Sequence, residues 1–351
     1  MSTNGFVAAQ AGELEAGGTR GGAGADAPLL AVDELRVDFH QGHRVVRAVD
    51  GLSYAARRAR TVALIGESGS GKTVSSRAIM GLLPQTARVR GSIRFEGQEL
   101  IGLPERKLQQ LRGGEIAMVF QDPSRSLNPT VRIGAQIVEA IQMHRTMARP
   151  AALDRAVELM ELVRLPAARE RLRQYPHQLS GGMRQRVMIA LALGADPKLL
   201  IAAAATTALD VTTQAQIMEL LRDLQQRLGM ALIMISHDLG LAASFADEVL
   251  VMYAGRAVEH APTRKLFAEV RMPYTRALLD AIPRLENPAH SLLAAVPGQP
   301  PDLSGEQAGC PFAPRCPDAS DRCRADAPPF AEQEPGHLWA CWHPCGVKAP
   351  S

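Results

Sequence analysis

Eight consecutive residues carry the chemistry that can be read first: Gly66-Glu67-Ser68-Gly69-Ser70-Gly71-Lys72-Thr73. Glycines at 66, 69 and 71 let backbone N–H groups turn inward around an anion, where side chains would block its approach. Ser68 and Ser70 complete the cradle. Lys72 is placed to reach the β- and γ-phosphates of a nucleotide, and the Thr73 hydroxyl to face Mg²⁺. An apolar run, residues 61–65, precedes the loop, and residues 74–83 read as a helix after it. That strand–loop–helix context is what a phosphate loop requires, and the helix N-terminus adds free N–H groups and a positive dipole end. The ligand this predicts is ATP with Mg²⁺.

A second stretch, Leu179-Ser180-Gly181-Gly182-Met183-Arg184-Gln185-Arg186, sets a serine and two glycines at another helix start. It is a second anion-binding N-terminus, and sequence logic does not assign it to the same phosphate.

The elements that must position these residues alternate. Residues 29–40 and 45–54 read as strands joined by a turn at Gln41-Gly42-His43. After the phosphate loop come a strand at 91–96, a helix at 104–111 and a buried strand at 115–120 ending at Gln121. Residues 131–173 change to helical spacing, with Ile133, Ile137, Val138 and Ile141 on one face. A helix at 181–193 and a buried strand at 199–202 follow. Next are a helix at 212–228 capped by Thr212, a strand at 231–235, and a hairpin at 248–252 and 256–259. Strands alternating with helices around a phosphate loop predict an α/β fold: a RecA-like core on a mostly parallel sheet, with an antiparallel β subdomain and a helical insertion.

The 351 residues carry a net charge of +3, too little to suggest a nucleic-acid binder or a polybasic membrane anchor. No apolar run reaches the length of a membrane span. The Gly/Ala-rich start, residues 1–28, lacks the basic and apolar regions of a secretory signal and reads as a flexible tail on a cytosolic protein. Composition shifts toward proline and cysteine near residue 271. This predicts a domain at 29–270, with its helical subdomain at about 122–190, and an extension at 271–351.

All five cysteines lie between Cys310 and Cys345. Cysteines confined to one segment of a cytosolic chain argue for metal over disulfides. Four thiolates suit tetrahedral zinc or an iron–sulfur cluster, and the spacing is not the paired C-x-x-C of common zinc ribbons.

With both glycine-rich stretches in place, the chain resembles the ATP-binding subunits of ABC transporters. The resemblance implies that Ser180, Gly181, Gly182 and Gln185 contact ATP held by a facing subunit. It implies that Gln121, in Phe120-Gln121-Asp122-Pro123, approaches Mg²⁺ and senses the membrane subunit, and that His237, in Ser236-His237-Asp238, contacts the γ-phosphate. It also assigns Asp210 to the D-loop and Phe39 to adenine stacking. Ser126-Leu127-Asn128-Pro129, Tyr175-Pro176-His177 and Val251-Met252-Tyr253-Ala254-Gly255 resemble the dipeptide, oligopeptide and nickel importers. For that branch the resemblance implies a [4Fe-4S] cluster held by Cys310, Cys316, Cys323 and Cys341, leaving Cys345 without a role. It further implies two permease subunits, a second similar ATPase, an extracytoplasmic substrate-binding protein, no nucleic acid, and a peripheral place on the cytoplasmic face of the membrane.

One departure stands out. After the strand at 199–202 the family pattern expects Asp, Glu and Pro before Thr-Thr-Ala-Leu-Asp, and this chain has Ala203, Ala204 and Ala205. The missing aspartate would help hold Mg²⁺ and the missing glutamate would polarise the attacking water. ATP binding with severely reduced hydrolysis is therefore expected, and a non-hydrolysing regulatory subunit is the rival reading. The alanine run fits either a substitution that traps the ATP-bound state or one decayed site of an ATPase pair.

Overall fold

The structure is a computed structural model and describes residues 27–42, 44–120, 126–203, 211–282, 296–305 and 308–346. The expected tail lies almost wholly outside these residues, as do Gln121, Ala204, Ala205 and Asp210.

Strands β1 (Leu30–Gln41) and β2 (Arg44–Ala56) form the expected antiparallel hairpin. Strand β3 (Thr61–Ile65) leads into the phosphate loop, and β4 (Ala87–Phe95) and β5 (Gln98–Glu99) join the hairpin in a four-stranded sheet ordered β2-β1-β4-β5. The other strands are β6 (Ile116–Val119), β7 (Leu199–Ala203), β8 (Ala231–Ser236), β9 (Glu248–Tyr253), β10 (Arg256–Pro262), β11 (Ala331–Glu334) and β12 (His337–Trp339). With β3 they form an eight-stranded sheet ordered β11-β12-β10-β9-β3-β8-β7-β6.

Its centre is parallel, β9-β3-β8-β7-β6. Every residue of β3, β7 and β8 is buried, as strands covered on both faces must be. The period-2 alternation divides them between two cores. Ala63, Ile65, Ala202 and Met234 pack with the helical segment on one face. Val62, Leu64, Ala203 and Ile235 pack on the other, with Ala78 and Ile79 of the helix Lys72–Ile79 and with the antiparallel sheet.

The insertion is helical as expected: Ile133–His144, Arg149–Leu162 and Ala168–Arg171, followed by Gly181–Ala192. Ile133, Ile137, Val138 and Ile141 are all buried on one face of the first of these helices. The helix Val211–Leu228 begins one residue before Thr212, so Thr212 sits in its first turn and is not its cap.

The composition change near 271 does not mark a break in packing. Strand β12, far beyond it, pairs antiparallel with β10 through Glu259↔Trp339 and His260↔Leu338. The Glu259 carboxylate, fully buried, accepts from His337 Nε2 (2.9 Å), Arg271 N (2.7 Å) and Met272 N (3.2 Å). The extension thus completes the edge of the same sheet.

Candidate nucleotide site

The parallel register aligns the functional segments along the carboxyl edge of the sheet. Ile65 pairs with Ser236, Ala203 with Ile235, and Val119 with Ala202. The phosphate loop, the His237 turn, Ala203 and Phe120 therefore all lie at one edge of the sheet, the side where open α/β sheets bind ligands.

The loop is held by backbone geometry that only glycine permits at two points. Gly71 has φ +100°, and a Cβ there would lie 2.5 Å from Ala48 O of β2. At Gly66, with φ +153°, a Cβ would lie 2.2 Å from Met252 O of β9. The Lys72 ammonium donates to Gly66 O (2.6 Å), Glu67 O (2.8 Å) and Ser70 Oγ (2.9 Å). Burial pushes its pKa down to about 8, with Glu67 opposing the shift. Thr73 is exposed, as are Ser68 and Gly69, so these groups are open to a ligand.

Ser180 caps the helix Gly181–Ala192, its Oγ accepting from Met183 N at 3.4 Å, and both Ser180 and Gly181 are exposed. Gly182 lies close under Thr213 of the next long helix, where a Cβ would stand 2.8 Å from Thr213 Cγ2. Gln185 is 1% exposed with Nε2 unpartnered, more than a turn inside the helix on its inward face.

His237 is exposed at the end of β8, and Asp238 fixes the turn that carries it. The Asp238 carboxylate accepts from Gly240 N (2.8 Å) and Leu241 N (3.2 Å), capping the helix Leu239–Phe245. Phe39 is half-buried on β1, opposite Val46 and Ala87, and packs on the second core. Its sheet reaches the phosphate loop through Ala48 of β2. Ala203 is 6% exposed and presents only a methyl group on the face shared with the phosphate-loop helix.

Two features escaped the sequence. Glu67 is bound by the extension: Arg315 pairs with its carboxylate at 2.7 and 3.0 Å, and Tyr274 OH accepts its backbone N–H at 2.9 Å. A groove of about 750 Å³ lies beside the helical segment, lined by Leu82, Met118, Phe120, Met188 and Leu191. Phe120, directly before Gln121, is 40% exposed there.

Cys310, Cys316, Cys323 and Cys341 line one small cavity with Met272, Asp318 and His343. Burial raises the thiol pKa of Cys310, that of Cys316 to about 11 and that of Cys341 to about 12. All five cysteines are free thiols, and Cys345 is not part of this cavity. The donors suit a thiophilic metal. Yet among the described residues no three His, Cys, Asp or Glu side chains are grouped tightly enough to hold an ion, so the cavity is not a closed ligand cage. No described helix is long and apolar enough to cross a membrane.

Residues 49–207 match the ABC transporter family model, and residues 258–323 match the model for the oligopeptide/dipeptide transporter C-terminal region. The chain is 48% identical over 316 residues to the oligopeptide transport ATP-binding protein OppD of Salmonella typhimurium, covering 90% of this chain and 94% of that protein. It is equally 48% identical to OppD of Escherichia coli, covering 90% and 93%. Among solved structures, a dimeric ATP-binding cassette bound to ADP and Pi aligns with a TM-score of 0.60 at 25% identity, covering 67% of this chain and 99% of that one.

Proposed function

Because the chain belongs to the ATP-binding subunits of ABC transporters, in their oligopeptide branch, we propose that it energises a peptide importer by ATP-driven closure of paired subunits while its own site hydrolyses poorly. The observation that carries the reading is the phosphate loop, with its buried lysine and open Thr73 beside an alanine at 203.

In this reading Lys72, the loop N–H groups of residues 66–73 and the helix N-terminus hold the triphosphate. Thr73 and Gln121 hold Mg²⁺, which neutralises phosphate charge when bound. Phe39 stacks on the base. Ser180, Gly181 and Gly182 present an exposed helix N-terminus to the γ-phosphate bound by a facing subunit, and Asp210 serves as the D-loop aspartate. His237 contacts the same phosphate from its capped turn. Asp and Glu side chains are absent from positions 203 and 204, so the chain supplies no base to the attacking water there.

The groove beside Phe120 receives one of two permease subunits, its exposed apolar lining supporting that role. A second ATPase of similar kind and a substrate-binding protein complete the assembly. The protein is then peripheral to the cytoplasmic face of the membrane. Cys310, Cys316, Cys323 and Cys341 hold an iron–sulfur cluster or zinc, a reading supported by their shared cavity.

A fluorescent ATP analogue titrated against the purified protein tests the core of this reading. Saturable binding that Lys72→Ala abolishes is expected, and absence of binding overturns it. Iron and acid-labile sulfide after anaerobic purification decide between cluster and zinc. The second reading, a purely regulatory ATP-binding subunit, is favoured by Ala203 alone. It predicts nucleotide-dependent dimerisation with no stimulation of transport ATPase in the reconstituted complex.

A further inference from the structure

The C-terminal extension reaches into the phosphate loop at Glu67, and it does so from two directions. Glu67, second in the loop, has its carboxylate paired with Arg315 at 2.7 and 3.0 Å. The Arg315 side chain is 4% exposed. Its remaining donors are also placed: Nε to Pro297 O (2.6 Å), Nη2 to Val296 O (3.1 Å) and Nη1 to Tyr253 OH (3.2 Å). A guanidinium with all five N–H groups used holds one orientation. On the backbone side, Glu67 N–H donates to Tyr274 OH at 2.9 Å. Tyr274 is itself locked, fully buried with its ring 4.5 Å from that of Tyr253 and 5.4 Å from that of Phe312.

A carboxylate in a loop that must surround a triphosphate is an electrostatic liability. Arg315 removes it by supplying one positive charge at contact distance, and its fork fixes where the carboxylate points. The Glu67 backbone carbonyl meanwhile accepts from the Lys72 ammonium at 2.8 Å and from Ser70 N at 3.2 Å.

We propose that Arg315, with Tyr274, is a positioning residue of the nucleotide site: the extension cancels the Glu67 charge and sets the loop for phosphate. Because Arg315 lies between Cys310 and Cys316, the thiol cavity and the phosphate loop are mechanically one unit. This inference rests on the ATP-binding reading above.

The test uses the full chain and titrations with fluorescent ATP and ADP analogues. Arg315→Ala is expected to weaken ATP binding about tenfold and ADP binding less, since an uncompensated carboxylate repels the more highly charged ligand more. Arg315→Lys is expected to retain most of the affinity. Adding Glu67→Gln to Arg315→Ala is expected to restore it, because the harmful charge is then gone. Failure of the unmodified chain to bind either analogue sinks the ATP-binding reading itself. If the unmodified chain binds and Arg315→Ala binds equally well, only the positioning role is refuted. Equal losses for ATP and ADP, or no recovery with Glu67→Gln, refute it too, since they indicate general loss of packing.

Discussion

Restoring carboxylates at the end of β7 is the sharpest perturbation of this site. Ala203 sits 6% exposed on the core face shared with Ile235, Met252 and the phosphate-loop helix. The double variant Ala203→Asp, Ala204→Glu therefore places one carboxylate in a nearly dry position, and the second one residue further along, outside the described residues. Two opposing effects follow. A general base contributes about 10²–10⁴ in rate, equivalent to roughly 3–5 kcal/mol of barrier. An unpaired buried carboxylate costs several kcal/mol, on the order of 2–4 here, until a cation meets it. The variant should thus melt below the parent without nucleotide, regain that loss with Mg²⁺ and ATP, and release phosphate at least about 100-fold faster. Phosphate release under saturating Mg–ATP, beside melting curves with and without ligand, measures both. Parent turnover matching that of the variant would refute the argument, as would a variant whose melting point ignores Mg–ATP.

Lys72 gives a pH dependence with a definite sign. Its pKa is lowered to about 8 from 10.5, so charging it opposes folding. Stability from this group should rise as pH climbs from about 8 toward 10.5, by at most about 3 kcal/mol. ATP affinity should fall over the same window as the ammonium is lost, and urea melts and titrations at pH 7 and 9.5 check the pair. Gly71→Ala should abolish nucleotide binding and cost roughly 2–3 kcal/mol, because its methyl meets Ala48 O in a left-handed backbone. Glu259→Ala strips the acceptor from His337 and from two backbone N–H groups, with a loss on the order of 3–5 kcal/mol by chemical denaturation.

The phosphate loop was legible because its glycines, Lys72 and Thr73 form a local pattern, and the strand and helix that frame it have strong periodicity. The buried runs 61–65, 199–202 and 231–235 read correctly because a covered parallel strand has no polar face to disguise it. Local spacing cannot show pairings made across hundreds of residues. Arg315 and Glu67 are 248 positions apart, and nothing in either neighbourhood announces the other. The short segment His337–Trp339 carries too few residues to signal a strand, and its partner β10 supplies the reason it is one. The burial of Gln185 was not legible either, because a motif gives order along the chain and only the helix phase says which side faces in.

The last two strands have a practical consequence for anyone trimming this protein to a minimal cassette. An exposed strand edge is a template for pairing with another chain. Cutting at the proline-rich change of composition would leave β10 as the rim of an eight-stranded sheet reduced by two, with Glu259 stranded and the backbone groups once satisfied by β12 unpaired. The extension serves as the sheet's hem, and a chain without it should self-associate through that border.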